Sequence, residues 1–370
     1  MPTKMAAERL PIKICFIAPK AYPLFNPRVN DVVGGAEVDL YFLAAELAKD
    51  GDFAISFITG DYGQQQTETI EAVTLVKGID FSRGAAANAV RIWRAMKQAD
   101  ARIYMLKTAS PGVPLAALFC RLNNKIFVYR TASTVEYDGT YHRQHFFLGR
   151  AFDRALRQAR VVFAQNASDK ASLERAIGRG VVVIPNGHCL GPLQQYRRET
   201  VLWAGRSDKL KQPEVFVELA RNVPDRQFVM ICQQATGDKN YGSLAARAKA
   251  VGNLKLVEYV PFREIDAYFQ QAKVFVNTSR AEGFPNTFIQ AGKWATPILS
   301  LNVNPDEFLD KHNCGICCSG DRQRLADALR SMLQGSKYLE LGANARSYVE
   351  NNHDITRIAE RYKDVFRRLV

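Results

Sequence analysis

Short apolar runs alternate with segments of helical period along this chain, and the alternation stops once and then restarts. Ile12–Ala18 is a near-continuous apolar run, as a strand buried on both faces requires. The loop AYPLFNPRVNDVVGGAE follows, then a helical stretch over Val38–Ala48 and a second strand over Ala54–Thr59. Helices over Arg91–Ala99, Pro114–Leu122, Gly149–Gln158 and Ser168–Ile177 interleave with strands over Arg102–Leu106, Ile126–Tyr129, Val161–Ala164 and Val181–Ile184. The turn-rich Pro185–Pro192 and the polar LQQYRRE after it break the pattern and are expected to link two domains. Alternation resumes with a strand over Val201–Ala204 and a helix over Pro213–Arg221, with Pro at an allowed first position. Such alternation with short connections predicts parallel sheets covered by helices. A chain of 370 residues also exceeds the roughly 250–300 residues that one core supports. The expected class is therefore α/β with two similar halves, residues 1–190 and 191–352. Ligands of open parallel sheets bind at the carboxyl ends of strands, so the cleft between halves is the expected site.

Composition excludes several other classes. With 47% hydrophobic and 24% charged residues, disorder is not the default. No apolar run reaches the roughly 18–20 residues that span a bilayer. The leading segment passes from a charged stretch straight into a strand, without the apolar region or cleavage site of a signal peptide, so a cytoplasmic protein is expected. Seven scattered cysteines fit a reducing compartment rather than a disulfide framework. In HNCGICCSG, His312, Cys314, Cys317 and Cys318 lack the second Cys or His pair that would complete a metal site. A short buried strand using Cys as a small hydrophobe is the expectation there. Net charge is +13, and residues 143–179 concentrate eight basic residues against three acidic ones. Arg150, Arg154 and Arg157 share a helix face by spacing. A solvated face competes with docking to an anionic membrane surface, which would place the protein peripherally on the cytoplasmic face of the membrane. A nucleic-acid partner is not expected, because no aromatic-interleaved basic run accompanies the charge.

Three segments carry chemistry. In Asn277–Ala291 a strand ends, a loop holds Glu282 and Gly283, and a helix starts at Pro285, Asn286 and Thr287. A helix start offers unpaired N–H groups and a positive dipole end, which suit a diphosphate. Gly283 permits close backbone approach. Glu282 can bond sugar hydroxyls, and Gln290, about two turns along the helix, can bond vicinal hydroxyls such as those of a ribose. In Val201–Lys211 a strand and a Gly precede Arg206 and then Lys209 or Lys211, a fork and a point charge that can clamp phosphates. Gly34 and Gly35, before the first long helix, form a third and weaker signal. Asp50-Gly51-Asp52 spells a metal-binding D-x-D but sits at a helix-to-strand turn, where Asp and Gly serve turn chemistry, and no metal or other cofactor is expected.

Together these segments resemble the retaining glycosyltransferases of family 4, which have the GT-B fold: two Rossmann-like domains facing across a cleft. GGAE at 34–37 resembles that family's N-terminal glycine loop. GRSDKLK at 205–211 resembles its G-R-x4-K donor motif, and EGFPNTFIQ at 282–290 its E-x7-E motif. The resemblance implies Arg206 and Lys211 on the donor diphosphate, Glu282 near the donor sugar and position 290 on the ribose. Gly34, Gly35, Gly283, Phe284, Asn286, Thr287, Tyr259 and Val260 complete the implied donor set. It further implies that the last helix, within 353–370, crosses back onto the N-terminal domain. Two departures stand out. Gln290 replaces the second acid of E-x7-E, and VYRTAS at 128–133 stands where many relatives carry a histidine. Arg130, Ser133 or Asp138 are the candidates for acceptor contacts. The expected function is transfer of a sugar, with retention, from a nucleoside-diphosphate sugar to a glycan or lipid-linked acceptor, in the making of surface polysaccharide or glycoconjugate. A catalytically impaired homologue that only binds sugar nucleotide is the first alternative, and a nucleic-acid-binding protein a more remote one.

Overall fold

A computed structural model describes residues 10–370; the charged lead over residues 1–9 lies outside the described residues. The chain divides into two units. The first runs through Gly187 and resumes at Ile355–Val370, and the second is His188–Asp354.

In the first unit the strands are β1 (Ile12–Ile17), β2 (Phe53–Gly60), β3 (Thr67–Ile70), β4 (Val73–Ile79), β5 (Ile103–Lys107), β6 (Ile126–Arg130), β7 (Val161–Ala164) and β8 (Val182–Val183). They form one sheet in the order β3-β4-β2-β1-β5-β6-β7-β8. Every pair is parallel except the β3–β4 hairpin. The helices between them are α1 (Tyr22–Phe25), α2 (Gly35–Leu47), α3 (Ala85–Ala99), α4 (Gly112–Leu122), α5 (Thr140–Gln144), α6 (Phe146–Gln158) and α7 (Ala167–Ile177). Local chemistry fixes several ends. Asn166 accepts a bond from Asp169 N at 2.7 Å to start α7, and Gly178 ends it at φ 68°.

Strand side chains alternate between the two faces of this sheet. Cys15 and Ile17 of β1, with Val162 and Ala164 of β7, join one core with α3, α4, α6 and α7. Phe163, between the last two, points the other way and packs edge-on against Tyr362, 4.8 Å between ring centres. Tyr362 belongs to α15 (Ile355–Arg367), the last helix, which lies beside α2.

The second unit holds β9 (Thr200–Arg206), β10 (Gln227–Gln233), β11 (Leu254–Val257), β12 (Ala272–Asn277), β13 (Ile298–Ser300) and β14 (Gly315–Cys317). The order is β11-β10-β9-β12-β13-β14, and all pairs are parallel. Around the sheet lie α8 (Pro213–Asn222), α9 (Tyr241–Lys249), α10 (Ile265–Gln271), α11 (Asn286–Lys293), α12 (Phe308–Lys311), α13 (Arg322–Leu333) and α14 (Lys337–Asn352). Numbered within this unit, the strand order is 3-2-1-4-5-6, that of an open doubly wound sheet with its switch point between β9 and β12.

Three features differ from the sequence reading. The β3–β4 hairpin and α14 did not show in the apolar pattern. The stretch expected to link the halves is fastened along much of its length: Arg198 donates to Thr296 Oγ1 at 2.8 Å and to Ala272 O at 2.9 Å, and Tyr196 meets Trp294 edge-on. The Asp50-Gly51-Asp52 segment, by contrast, is the turn that the sequence reading expected, and it faces α15, where Lys363 pairs with Asp50 at 2.9 Å and Arg367 with Asp52 at 2.9 Å.

Candidate functional site

The second unit gathers the donor-type residues at its switch point. Arg206 is the last residue of β9 and Asn277 the last of β12. Gly205 precedes Arg206 and leaves room for the Trp203 ring, which a Cβ there would approach to 3.0 Å. The chain then turns back, with Lys211 N donating to Asp208 O at 3.0 Å, and reaches Lys211. Trp203 Nε1 donates to Thr278 Oγ1 at 2.9 Å, and that hydroxyl donates to Lys211 O at 2.6 Å. A buried indole on one strand thus pins the Lys211 main chain to the end of the neighbouring strand.

Lys211 Nζ pairs with Glu282 Oε2 at 2.6 Å, and Asn277 Nδ2 donates to Glu282 Oε1 at 3.1 Å. Burial alone would raise the Glu282 carboxyl. The Lys211 ammonium, with hydrogen bonds from Ser279 and Asn277, outweighs it and holds the carboxyl below its ordinary value. The side chains of Lys211 and Glu282 stay 24% and 15% exposed, so the pair remains reachable. Arg206 is more open, with only a loose pairing to Asp208 at 3.7 Å.

The neighbouring residues divide by role. Gly283 leads from Glu282 to α11, whose first residues Asn286 and Thr287 are half-buried. Gln290 is buried on α11, yet its amide makes no side-chain hydrogen bond among the described residues. Phe284 has only its main chain left for a ligand. Its ring is buried among Phe288, Phe308, Tyr348 and His353, where it anchors the loop before α11. Tyr259 and Val260 follow β11, two strands from the switch point. Val260 is packed in the core, which leaves only its main chain for a ligand. Gly34 and Gly35 belong to the first unit. There Gly34 N donates to Glu37 Oε2 at 3.1 Å, so Glu37 caps α2 from within the helix.

The acceptor candidates separate similarly. Arg130 is corrected: it is 0% exposed and committed to internal partners. It pairs with Asp39 at 2.9 Å and donates to Asn186 Oδ1 at 2.6 Å, Ile184 O at 2.8 Å and Tyr362 Oη at 2.5 Å. Asp138 is exposed and lines an open groove of about 620 Å³ with Tyr137, Ser168 and Arg175. Ser133 is half-buried just before it.

The first unit has its own switch point, between β1 and β5, and a cavity of about 350 Å³ lies there. Ile17, Leu40, Ile92, Leu106 and Leu115 make its walls apolar, while Glu37 and Lys107 supply charge. Lys107 pairs with Asp39 at 2.8 Å and donates to Asn186 Oδ1 at 3.1 Å. Burial pushes its ammonium down to about 8 despite the Asp39 carboxylate beside it. Glu136 is buried nearby, accepts a bond from Tyr129 Oη at 2.9 Å and is pushed up to about 7 by burial. The sequence reading missed Lys107, Asp39 and Glu136. Lys107 closes a five-residue apolar strand, and a lysine at a buried strand's end is the one local signal that could have marked it.

The three clustered thiols sit around β14. Burial raises Cys314 to about 12 and Cys318 to about 11, and raises Cys317, which disfavours the thiolate form.

Residues 198–335 match the family described as Glycosyl transferases group 1. No curated protein matches the sequence. Among solved structures, sucrose-phosphate synthase from Thermosynechococcus elongatus is similar over 97% of this chain and 99% of its own, with a TM-score of 0.78 and 17% identity. WaaG, a glycosyltransferase involved in lipopolysaccharide biosynthesis, is similar over 95% and 99%, with a TM-score of 0.70 and 15% identity. An E. coli trehalose-6-phosphate protein bound with UDP-2-fluoro glucose is similar over 97% and 99%, with a TM-score of 0.70 and 11% identity.

Proposed function

We propose that this protein, a group 1 glycosyl transferase by its second unit and of the GT-B fold, moves a sugar from a nucleoside-diphosphate sugar to a hydroxyl of a glycan or lipid-linked acceptor. The observation that carries this reading is the Lys211–Glu282 pair beside Arg206 at the switch point between β9 and β12. A diphosphate there is met by the Arg206 guanidinium, the Lys211 ammonium and the N–H groups at the start of α11. Pro285 can offer none. Glu282, held ionised by Lys211, accepts hydrogen bonds from the donor sugar's hydroxyls. Gln290 does the same for the ribose through its amide. The phosphates are neutralised by side chains and main-chain amides, so the reading includes no metal.

In the reaction the C1–O bond to the β-phosphate breaks and a bond from the acceptor oxygen to C1 forms on the same face. The acceptor's proton passes to a phosphate oxygen, and the nucleoside diphosphate leaves. Arg206 and Lys211 stabilise the charge that grows on that diphosphate. The acceptor is assigned to the first unit, at the cavity between β1 and β5, whose walls suit a molecule with an apolar portion beside its hydroxyl. Synthesis of surface polysaccharide or glycoconjugate is the role this chemistry fits.

A thermal-shift panel of UDP, GDP and ADP and their sugars tests the donor reading, because a ligand that binds only the folded state raises the melting temperature. At least one nucleoside diphosphate should raise it, and its sugar should be hydrolysed slowly without acceptor. A panel with no shift overturns the reading. A shift with neither hydrolysis nor transfer to any glycan reduces it to a sugar-nucleotide-binding homologue, the outcome that Gln290 in place of an acid would then explain.

A further inference from the structure

Helices α3, α4 and α6 cover one face of the first unit's sheet, with α4 packed between the other two. Their outward sides are uniformly cationic. Arg94 and Lys97 on α3, Arg121 on α4, and Arg150, Arg154 and Arg157 on α6 are all exposed. None of the six forms an ion pair among the described residues. Arg91 of α3 is turned aside to Asp61 at 3.6 Å. The three helices contain one acid, Asp153, which is taken up by His142 at 2.8 Å. The opposite face is different. There α2 carries Glu37, Asp39 and Glu46 with no base, and α15 adds acids and bases in mixture. On the first face, α7 lies beside α6 and carries Asp169 and Glu174 with Lys170 and Arg175, so the cationic patch is confined to α3, α4 and α6.

Large apolar side chains are exposed among the same arginines. Phe147 is 84% exposed, Leu122 63% and Phe146 52%, with Val90 and Leu118 also on these helices. The Arg150 guanidinium lies 4.1 Å from the centre of the Phe146 ring. Exposed aromatic and aliphatic groups set among cations are the two ingredients of a surface that rests on an anionic bilayer: charge draws it in and apolar side chains enter the headgroup boundary. Nucleic acid would use the charge but leaves Leu118, Leu122 and Val90 without purpose. No helix among the described residues is long and apolar enough to cross a membrane, so this contact would be a surface one.

We propose that the outer face of α3, α4 and α6 is a docking surface for anionic lipid. It rests on the charge and exposure of these helices and stands whether or not the donor reading holds.

Co-sedimentation of the full chain with vesicles tests it. Vesicles of phosphatidylcholine alone are compared with vesicles holding about one-third phosphatidylglycerol, the anionic fraction that creates a surface potential. Binding is expected only to the anionic vesicles and weaker as salt rises. R154E/R157E should lower that binding about tenfold or more, and Phe147→Ser should lower it at unchanged salt dependence. Both variants should melt cooperatively at the temperature of the parent, which shows that they are folded. Equal binding to the two vesicle types, no binding at physiological salt, or unchanged binding by both variants overturns the proposal. So does tighter binding to duplex DNA or RNA that Phe147→Ser leaves untouched, which would mark the face as a nucleic-acid surface.

Discussion

Lys211 and Glu282 each set the state of the other. The ammonium keeps a largely buried carboxylate ionised, and the carboxylate orients the ammonium on its 2.6 Å contact. Lys211→Ala should abolish measurable transfer, since losing one donor to a developing oxyanion costs about 10²–10³ in rate. It should also erase the nucleoside-diphosphate thermal shift while leaving a cooperative melt. Transfer at the parent's rate would remove Lys211 from the chemistry. Glu136 offers a second handle, through pH. Its folded pKa of about 7 lies above the ordinary 4.5, so its contribution to stability is whole below about 4.5 and is lost as pH rises through about 7. The loss amounts to about 3 kcal/mol at most. Glu136→Gln should flatten the fall in melting temperature between these pH values. A slope equal to the parent's would mean that some other group titrates there. The residues on these two sites were unequally legible in the sequence. Arg206, Lys211 and Glu282 stand in short local motifs whose spacing can be read along the chain. Lys107, Arg130, Asn186 and Tyr362 meet across separations of 56 to 232 residues, and no local pattern announces such a cluster.

Whole elements were read well where an apolar period was clean and poorly where small residues replaced it. The strand runs fall within a residue or two of their observed ends, while the helix before β2, expected from Val38, starts three residues earlier at Gly35. The β3–β4 hairpin went unseen because its two turn residues, Glu71 and Ala72, take φ of 52° and 61° without the Asn or Gly that usually marks such a turn. Helix α14 was missed for a related reason. Beside Leu341, Tyr348 and Val349, it meets its neighbours at glycines, which interrupt the apolar period. A Cβ on Gly342 would stand 2.1 Å from Ala295 O, and one on Gly292 of α11 would stand 2.5 Å from Val349 Cγ2. The close approach of α11 to α14 therefore depends on both glycines. Gly292→Ala should cost about 1–3 kcal/mol, as overpacking does. Because α11 also carries Gln290, the same variant should weaken nucleoside-diphosphate binding, measured by the ligand's thermal shift. A variant as stable as the parent would show that the two helices can separate freely.

At the level of the molecule, the chain enters the second unit once and leaves it once, and the two points meet. His188 N donates to His353 O at 2.8 Å, and His188 bridges Asp354 in parallel fashion. A unit whose ends adjoin behaves as an insertion and should fold by itself. Residues 188–354 expressed alone should melt cooperatively and keep the nucleoside-diphosphate shift of the full chain. A fragment without a cooperative transition would contradict this. The strand order needed to see the two switch points was beyond the sequence. Alternation foretells parallel sheets, but which strands lie side by side is set by long-range packing, and the cavity between β1 and β5 emerges only from that order.

The first unit, by contrast, is written in two instalments, because α15 comes from the far end of the sequence. Tyr362 and Phe366 are buried in it, and Tyr362 bonds Arg130. A single proteolytic nick at the exposed residues 193–195 would therefore yield two polypeptides, neither of which owns a whole unit 1. The pieces would stay together after cleavage through the packing of α15 on the first unit and co-elute until denatured, a property that makes residues 193–195 a natural place to split the protein for complementation reporters.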